Sequence, residues 1–245
     1  MNYIYVGNIG NRANGHWHIT KPMILEYAEK VNAEVIILKE SSFKSAFYVL
    51  FDAFKDSVEK GEEHKYMWMD NDILISPNAL NVFDLPDKFL FTPFQDRKPK
   101  HWRKLWQRQG VIDPHTSYYC TGMVKWSARH VKDVYDWVKN RSFPYKWADQ
   151  EAMAEAIYHL ELPAFHMPEN VHKVTHYKNK LDEHHSFYHF GGKNKPHKMY
   201  ICLANGGFDE KYYKQVPTEY RLLSRDEAIR QGAVYDLPTV DSNLA

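Results

Sequence analysis

The stretch Tyr66-Met67-Trp68-Met69-Asp70-Asn71-Asp72-Ile73-Leu74-Ile75 decides how this chain reads. Apolar and aromatic side chains run without alternation on both sides of two aspartates, as in a strand buried on both faces of a sheet. Such a strand needs helices on both faces. The segments before it supply them in β-loop-α-β order. Tyr3-Ile4-Tyr5-Val6 reads as a strand opening into the Gly/Asn-rich loop 7–15. A helix is predicted from about Thr20, with Thr20 as its cap and Pro22 in its first turn, and Glu34 to Leu38 reads as the next strand. From Ser45 to about Val58, Phe47, Leu50, Phe51 and Phe54 recur at helical spacing, and a polar turn through Gly61 leads to the aspartate-bearing strand. Strands alternating with helices predict an α/β fold with a mostly parallel sheet. Ligands of such sheets sit beyond the carboxyl ends of the strands, where Asp70 and Asp72 belong.

Downstream, Lys88 to Thr92 is a candidate strand, and the polar, aromatic segment from Gln95 to His115 reads as a long loop. Helices are predicted from Ser127 to about Asn140 and from Asp149 to about Leu160, burying Val131, Val134, Tyr135 and Val138 in the first and Met153, Ala156, Ile157 and Leu160 in the second. Ser224-Arg225-Asp226-Glu227 is a capping box for a short helix that Gly232 can end. With 245 residues, 44% hydrophobic and 26% charged, the chain suits one domain, residues 1–205, with an extension over 206–245 packed on it. The 32 Lys and Arg against 31 Asp and Glu leave a net charge of +1, so charge balance makes no case for nucleic acid or an acidic membrane as partner. No signal-peptide pattern opens the chain and no segment nears the roughly 20 apolar residues of a membrane span, which predicts a cytoplasmic protein. Cys120 and Cys202 follow neither metal-ligand nor redox spacing, and the sequence assigns them no role.

The two carboxylates carry the chemistry. At a strand end, Asp70 and Asp72 can both reach one hard divalent cation, Mn²⁺ or Mg²⁺, and that cation can bridge the phosphate oxygens of a nucleotide sugar. A bland alternative has the aspartates capping backbone amides at a strand-to-loop junction. A haloacid dehalogenase-type phosphatase would want Thr or Val at the position of Leu74 and its motif on the first strand, and this chain has neither.

A second cluster, His189-Phe190-Gly191-Gly192-Lys193-Asn194-Lys195-Pro196-His197, resembles the H-x-x-G-x-x-K-P-W segment of family-eight glycosyltransferases, which include glycogenin and bacterial lipooligosaccharide galactosyltransferases. His189, Gly192, Lys195 and Pro196 match in register; His197 stands where the family has Trp. The resemblance implies a GT-A fold, a Rossmann-like mixed, mostly parallel sheet flanked by helices. It also implies His189 as third metal ligand, Lys195 on the donor diphosphate and Gly192 close to it. The residue types fit those roles, since imidazole completes an Asp/Asp site for Mn²⁺ and lysine supplies a compact positive charge. Tyr118 to Val124 is similar to the family's F-N-x-G-[VF]-[ML] segment, which implies Thr121 and Gly122 near the donor sugar. Asp149-Gln150 is similar to its D-Q pair, implying Asp149 on the sugar hydroxyls and Gln150 near the anomeric carbon, with Asp149 also an N-cap. Asn71, between the two aspartates, and Lys44, at the head of the helix before the aspartate-bearing strand, where no motif fixes a family contact, are further candidate donor contacts. The likeness spans most of residues 1 to about 200, but no Asp-x-Asn-Tyr-like nucleotide motif follows the first strand.

The activity implied is transfer of a sugar from a nucleotide-diphosphate donor, expected to be a UDP-sugar, to a hydroxyl with retention. The basic, tryptophan-bearing run Arg97 to Arg108 is the expected acceptor loop, with Trp102, Arg103 and Trp106 as contacts to a glycan or phosphate-bearing acceptor. The same run read blandly is a solvated loop with its tryptophans in the core. A modified base in DNA is the alternative acceptor; a non-catalytic nucleotide-sugar binder and a sugar nucleotidyltransferase are the alternative functions. His172, His176, His184 and His185 have the residue type of zinc ligands, but among 14 histidines their spacing reads as coincidence.

Overall fold

The computed structural model describes residues 1–11, 14–86, 90–92, 119–129, 131–141, 148–168, 170–175, 185–191, 195–205 and 211–212. The expected acceptor loop, with Trp102, Arg103 and Trp106, lies outside the described residues, as do Gly192 and the predicted helix after Ser224. In chain order the elements are β1 (Asn2–Gly7), α1 (Asn14–Lys30), β2 (Ala33–Leu38), α2 (Val49–Lys60), β3 (Lys65–Met69), β4 (Ile73–Ile75) and β5 (Leu90–Thr92). They continue with β6 (Met123–Trp126), α3 (Val131–Lys139), α4 (Ala148–His159), β7 (Ala164–His166), β8 (His172–Thr175), β9 (Phe187–Phe190) and α5 (Lys195–Asn205).

A mixed six-stranded sheet runs in the order β2-β1-β3-β6-β5-β7. β1 is parallel to β2 and β3, and β5 to β7, while β6 is antiparallel to both β3 and β5. Successive side chains of a strand point to opposite faces, and the core divides accordingly. Ile4, Val6, Met67, Met69 and Met123 face α1 and α5, packing with Ile24, Tyr27, Met199 and Leu203. Tyr3, Tyr5, Tyr66, Trp68, Val124 and Trp126 face α2, α3 and α4, packing with Phe51, Phe54, Val134 and Met153. This double burial is why β1 and β3 lack polar alternation. On the second face Tyr66 stacks on Trp126 at 5.9 Å, Phe54 meets Trp126 edge-on at 4.8 Å, and the indole N–H donates to Ser57 Oγ at 2.9 Å. Each fully buried large side chain adds about 1.5–3 kcal/mol.

Three local expectations change. The helix predicted from Thr20 begins at Asn14 and carries Pro22 inside it. Thr20 is fully buried, and its hydroxyl donates to the Asn71 carbonyl oxygen at 2.6 Å, a tertiary bond in place of a cap. The helix stops where Asn32 takes a left-handed φ of 50°, a conformation asparagine tolerates. The segment after Ser45 opens as a 3-10 turn, Ala46–Tyr48, with Ser45 as its cap, before α2 begins. Most consequentially, the single strand read across Tyr66 to Ile75 is two strands in two sheets: β4 leaves the large sheet and pairs antiparallel with β9 in the order β4-β9-β8. Asp70, Asn71 and Asp72 are the junction. No helix among the described residues is long and apolar enough to cross a membrane.

Candidate active site

β3 ends beside β6, and the Asp70 amide continues the ladder by donating to the Gly122 carbonyl at 2.8 Å. The chain then turns. Asn71 holds the turn: its amide nitrogen donates to the Gly7 carbonyl at 2.5 Å, its Oδ1 lies 2.9 Å from His16 Nε2, and its own carbonyl accepts from Thr20. After the turn the Asp72 carbonyl accepts from Phe190 N at 3.0 Å, and Ile73 pairs with His189 across β4 and β9. Two ladders on either side of one turn therefore bring Asp70, Asp72 and His189 together.

His189 Nε2 lies 3.2 Å from Asp72 Oδ1 and 3.5 Å from Asp70 Oδ2. Lys195, in the first turn of α5, bonds to Asp72 Oδ2, and the Trp68 indole donates to Asp70 Oδ1 at 2.8 Å. Burial alone would push the Asp72 pKa up, but His189 and Lys195 outweigh it and hold the carboxyl well below the usual range. Loss of water, then the Asp72 charge, raise the Asp70 pKa. Burial opposes charge on His189, yet Asp72 wins and the imidazole pKa lies well above its ordinary value. The two carboxylates demand positive charge, and the chain meets that demand with the His189 proton and Lys195.

The donor set fits a divalent cation. Asp70, Asp72 and His189 each offer a ligand atom within 4.8 Å of the others. Asp72 is 3% exposed, and among the described residues its Oδ1 has no aligned hydrogen-bond donor. A buried, unbonded carboxylate oxygen beside a second carboxylate and an imidazole suits Mn²⁺ or Mg²⁺.

Thr121 and Asp149 also meet: the hydroxyl donates to Asp149 Oδ2 at 2.5 Å. α4 begins at Ala148, so Asp149 sits in its first turn and not at the expected cap. Burial raises the Asp149 pKa to about 7, with the Thr121 bond opposing and the Asp70 charge adding to the rise. Gln150 Nε2 donates to the Tyr119 carbonyl at 3.4 Å. Gly122 makes room for the His189 imidazole, since a Cβ there would lie 2.3 Å from its Cε1. Lys44 is exposed just before Ser45, and no contact among the described residues joins it to the aspartates.

Four participants escaped the sequence reading. Trp68, two residues before Asp70 on a strand, has the spacing of a same-face neighbour, which was a usable signal. His16, Cys120 and His172 reach the site only through tertiary packing. Cys120 Sγ lies 3.8 Å from His189 Nδ1, and the His172 ring stands 5.5 Å from that of His189.

Behind Asp149, Glu151 is 0% exposed, and among the described residues neither of its carboxylate oxygens has a hydrogen-bond partner. Burial, then Asp149 and Glu155, raise its pKa from 4.5 to about 8. The unfolded chain releases this proton near pH 4.5 and the folded chain near pH 8, so the stability held below the lower value is lost as pH rises through that window. Glu151→Gln is expected to stabilise the protein by about 1–2 kcal/mol at pH 8 and to change little at pH 4.5, since an amide has no proton to release. Urea denaturation at both pH values checks this; an equal change at both would contradict it.

No protein-family model matches the chain, and no curated protein matches it in sequence. Solved structures do match in shape. The galactosyltransferase LgtC, in complex with donor and acceptor sugar analogues, aligns with 90% of this chain and 99% of its own at 13% identity and a TM-score of 0.56. A glycosyltransferase involved in glycosylation of the major capsid of PBCV-1 aligns over 96% of this chain and 99% of its own, at 15% identity and a TM-score of 0.53. Mouse xyloside xylosyltransferase 1 aligns over 80% of this chain and 99% of its own, at 12% identity and a TM-score of 0.53. At these identities the agreement is one of architecture, and the chain has the GT-A glycosyltransferase fold.

Proposed function

We propose that this protein is a glycosyltransferase that requires a divalent cation and moves a sugar from a UDP-sugar to a hydroxyl of a glycan acceptor, with retention of anomeric configuration. The observation that carries the reading is the convergence of Asp70, Asp72, His189 and Lys195 at the carboxyl edge of β3 in a GT-A fold.

Asp70, Asp72 and His189 would hold Mn²⁺ or Mg²⁺. A cation held there supplies countercharge to the donor diphosphate as the sugar–phosphate bond breaks. Lys195, already paired with Asp72, adds a compact charge for the same diphosphate, and Gly192 is assigned to its close approach. The Thr121–Asp149 pair and Gln150 face the donor sugar in this reading, with the Asp149 carboxylate accepting from sugar hydroxyls. Asn71 acts as a positioning residue, because its side chain is spent on Gly7 and His16. Lys44 stays a candidate donor contact, and Trp102, Arg103 and Trp106 stay the acceptor contacts expected from the basic, tryptophan-bearing run. The acceptor hydroxyl attacks the anomeric carbon and gives its proton to the departing diphosphate oxygen, so no separate carboxylate base is needed.

Nucleotide release from UDP-, GDP- and dTDP-sugars, with Mn²⁺ or with chelator, tests the reading. Release from UDP-sugars that needs metal and is lost in His189→Ala is expected. Metal-dependent binding of the donor without turnover would make the protein a non-catalytic nucleotide-sugar binder. Product stereochemistry then checks retention: an inverted product would require a carboxylate base, with Asp149 the first to substitute.

A further inference from the structure

His189 presents two nitrogens to two different environments. Nε2 faces the carboxylates of Asp70 and Asp72, whereas Nδ1 lies 3.8 Å from Cys120 Sγ. β8 runs parallel beside β9 with Val174 opposite His189, so His172, two residues back, projects to the same face. Cys120, His172 and His189 each offer a ligand atom within 4.8 Å of the others. Cys120 is 4% exposed and His172 5%, so this cluster is buried, whereas the Asp70 side chain on the far side of His189 keeps 34% of its surface.

We propose that Cys120, His172 and His189 form a second metal site, selective for Zn²⁺, that shares His189 with the carboxylate pair and thereby switches the first site off.

Tetrahedral zinc with Zn–S of about 2.3 Å and Zn–N of about 2.0 Å sets its sulfur and nitrogen ligands about 3.5 Å apart. The 3.8 Å between Cys120 Sγ and His189 Nδ1 is close to that spacing. One thiolate and two imidazoles favour Zn²⁺, whereas two carboxylates and one imidazole leave the first site to Mn²⁺ or Mg²⁺. On binding, the Cys120 thiol and the Nδ1–H of the His189 imidazolium each release a proton to solvent as the sulfur–zinc and nitrogen–zinc bonds form, leaving the imidazole neutral with its remaining proton on Nε2.

Sharing makes the sites exclusive. A neutral imidazole has one nitrogen lone pair to give, so ligation through Nδ1 leaves a proton on Nε2 that points at Asp70 and Asp72. Ligation through Nε2 leaves a proton on Nδ1 that points at Cys120. Zinc therefore converts His189 from a ligand of the first site into a hydrogen-bond donor to it. Zinc binding itself is independent of sugar transfer; its inhibitory consequence rests on the proposed function.

The test uses the full chain freed of metal by chelation. Titration with Co²⁺ is expected to produce the near-ultraviolet sulfur-to-cobalt charge-transfer absorption of a cobalt–thiolate bond. That absorption is expected to persist in Cys202→Ala and to vanish in Cys120→Ser and in Cys120→Ala, each checked for native circular dichroism. It is expected to weaken at least tenfold in apparent affinity in His172→Asn. No such absorption in the parent chain, or one that survives loss of Cys120, would overturn the site. In Mn²⁺-supported nucleotide release, Zn²⁺ is expected to inhibit the parent at least tenfold more strongly than Cys120→Ser, each against its own uninhibited rate. Equal inhibition of both would overturn the switch, whereas no release from the parent at all would count against the proposed function and leave the cobalt result to decide the site.

Discussion

Asp72→Asn is expected to lower metal-dependent nucleotide release by about 1000-fold while leaving the protein folded. The substitution keeps the shape of a residue that is 3% exposed and changes its charge. In the parent chain one Asp72 oxygen pairs with Lys195 and the other, unbonded, lies at the centre of the ligand cluster. An amide offers a cation one weaker oxygen and turns N–H groups towards a lysine or a ligand position. Loss of a direct ligand should exceed the roughly 10- to 100-fold effects typical of groups that merely orient ligands. Folding should suffer less, because Lys195 keeps 30% of its side-chain surface and can turn its ammonium to water. Initial-rate release with Mn²⁺, alongside circular dichroism, measures both effects; a variant keeping a tenth of the parent rate would remove Asp72 from the cation site.

Gly122→Ala is expected to weaken Mn²⁺ binding by about 100-fold without replacing any proposed ligand. The added methyl would sit 2.3 Å from Cε1 and 2.5 Å from Nδ1 of His189, far inside van der Waals contact. The ring cannot step aside cheaply, because Asp72 and Asp70 hold one edge and Cys120 and His172 stand against the other. Relief must come from the backbone next to β6 or from displacement of the imidazole, and either disturbs the proposed third ligand. Overpacking of this kind costs about 1–3 kcal/mol of stability as well. Calorimetric Mn²⁺ titration reads the affinity and thermal unfolding the stability; unchanged affinity would mean that His189 is not a ligand.

Both predictions concern residues that the sequence already pointed to, but for different reasons. Asp70 and Asp72 were legible because carboxylates interrupting a doubly buried apolar run must have a partner, and His189 and Lys195 because their spacing resembles a known segment. The large sheet was legible in the same way: Tyr3 to Val6 and Tyr66 to Met69 carry apolar side chains for both faces, and burial on both faces leaves its mark on composition. The start of α1 was missed because Thr20 has a capping residue's side chain but spends its hydroxyl on Asn71, 51 positions away.

Sequence by itself determined the α/β class, most of the helices and which residues to look for at the Asp70–Asp72 junction, since these depend on local conformation and on each segment's own burial. Only the tertiary structure decided that β4 departs to a second sheet, that Asn71 staples the turn, that Gly122 clears space for an imidazole and that Cys120 and His172 stand behind it. Lys195 reaches Asp72 across 123 residues of chain. Contacts of that kind are set by strand pairing and close packing between distant segments, which no local pattern of residue types records.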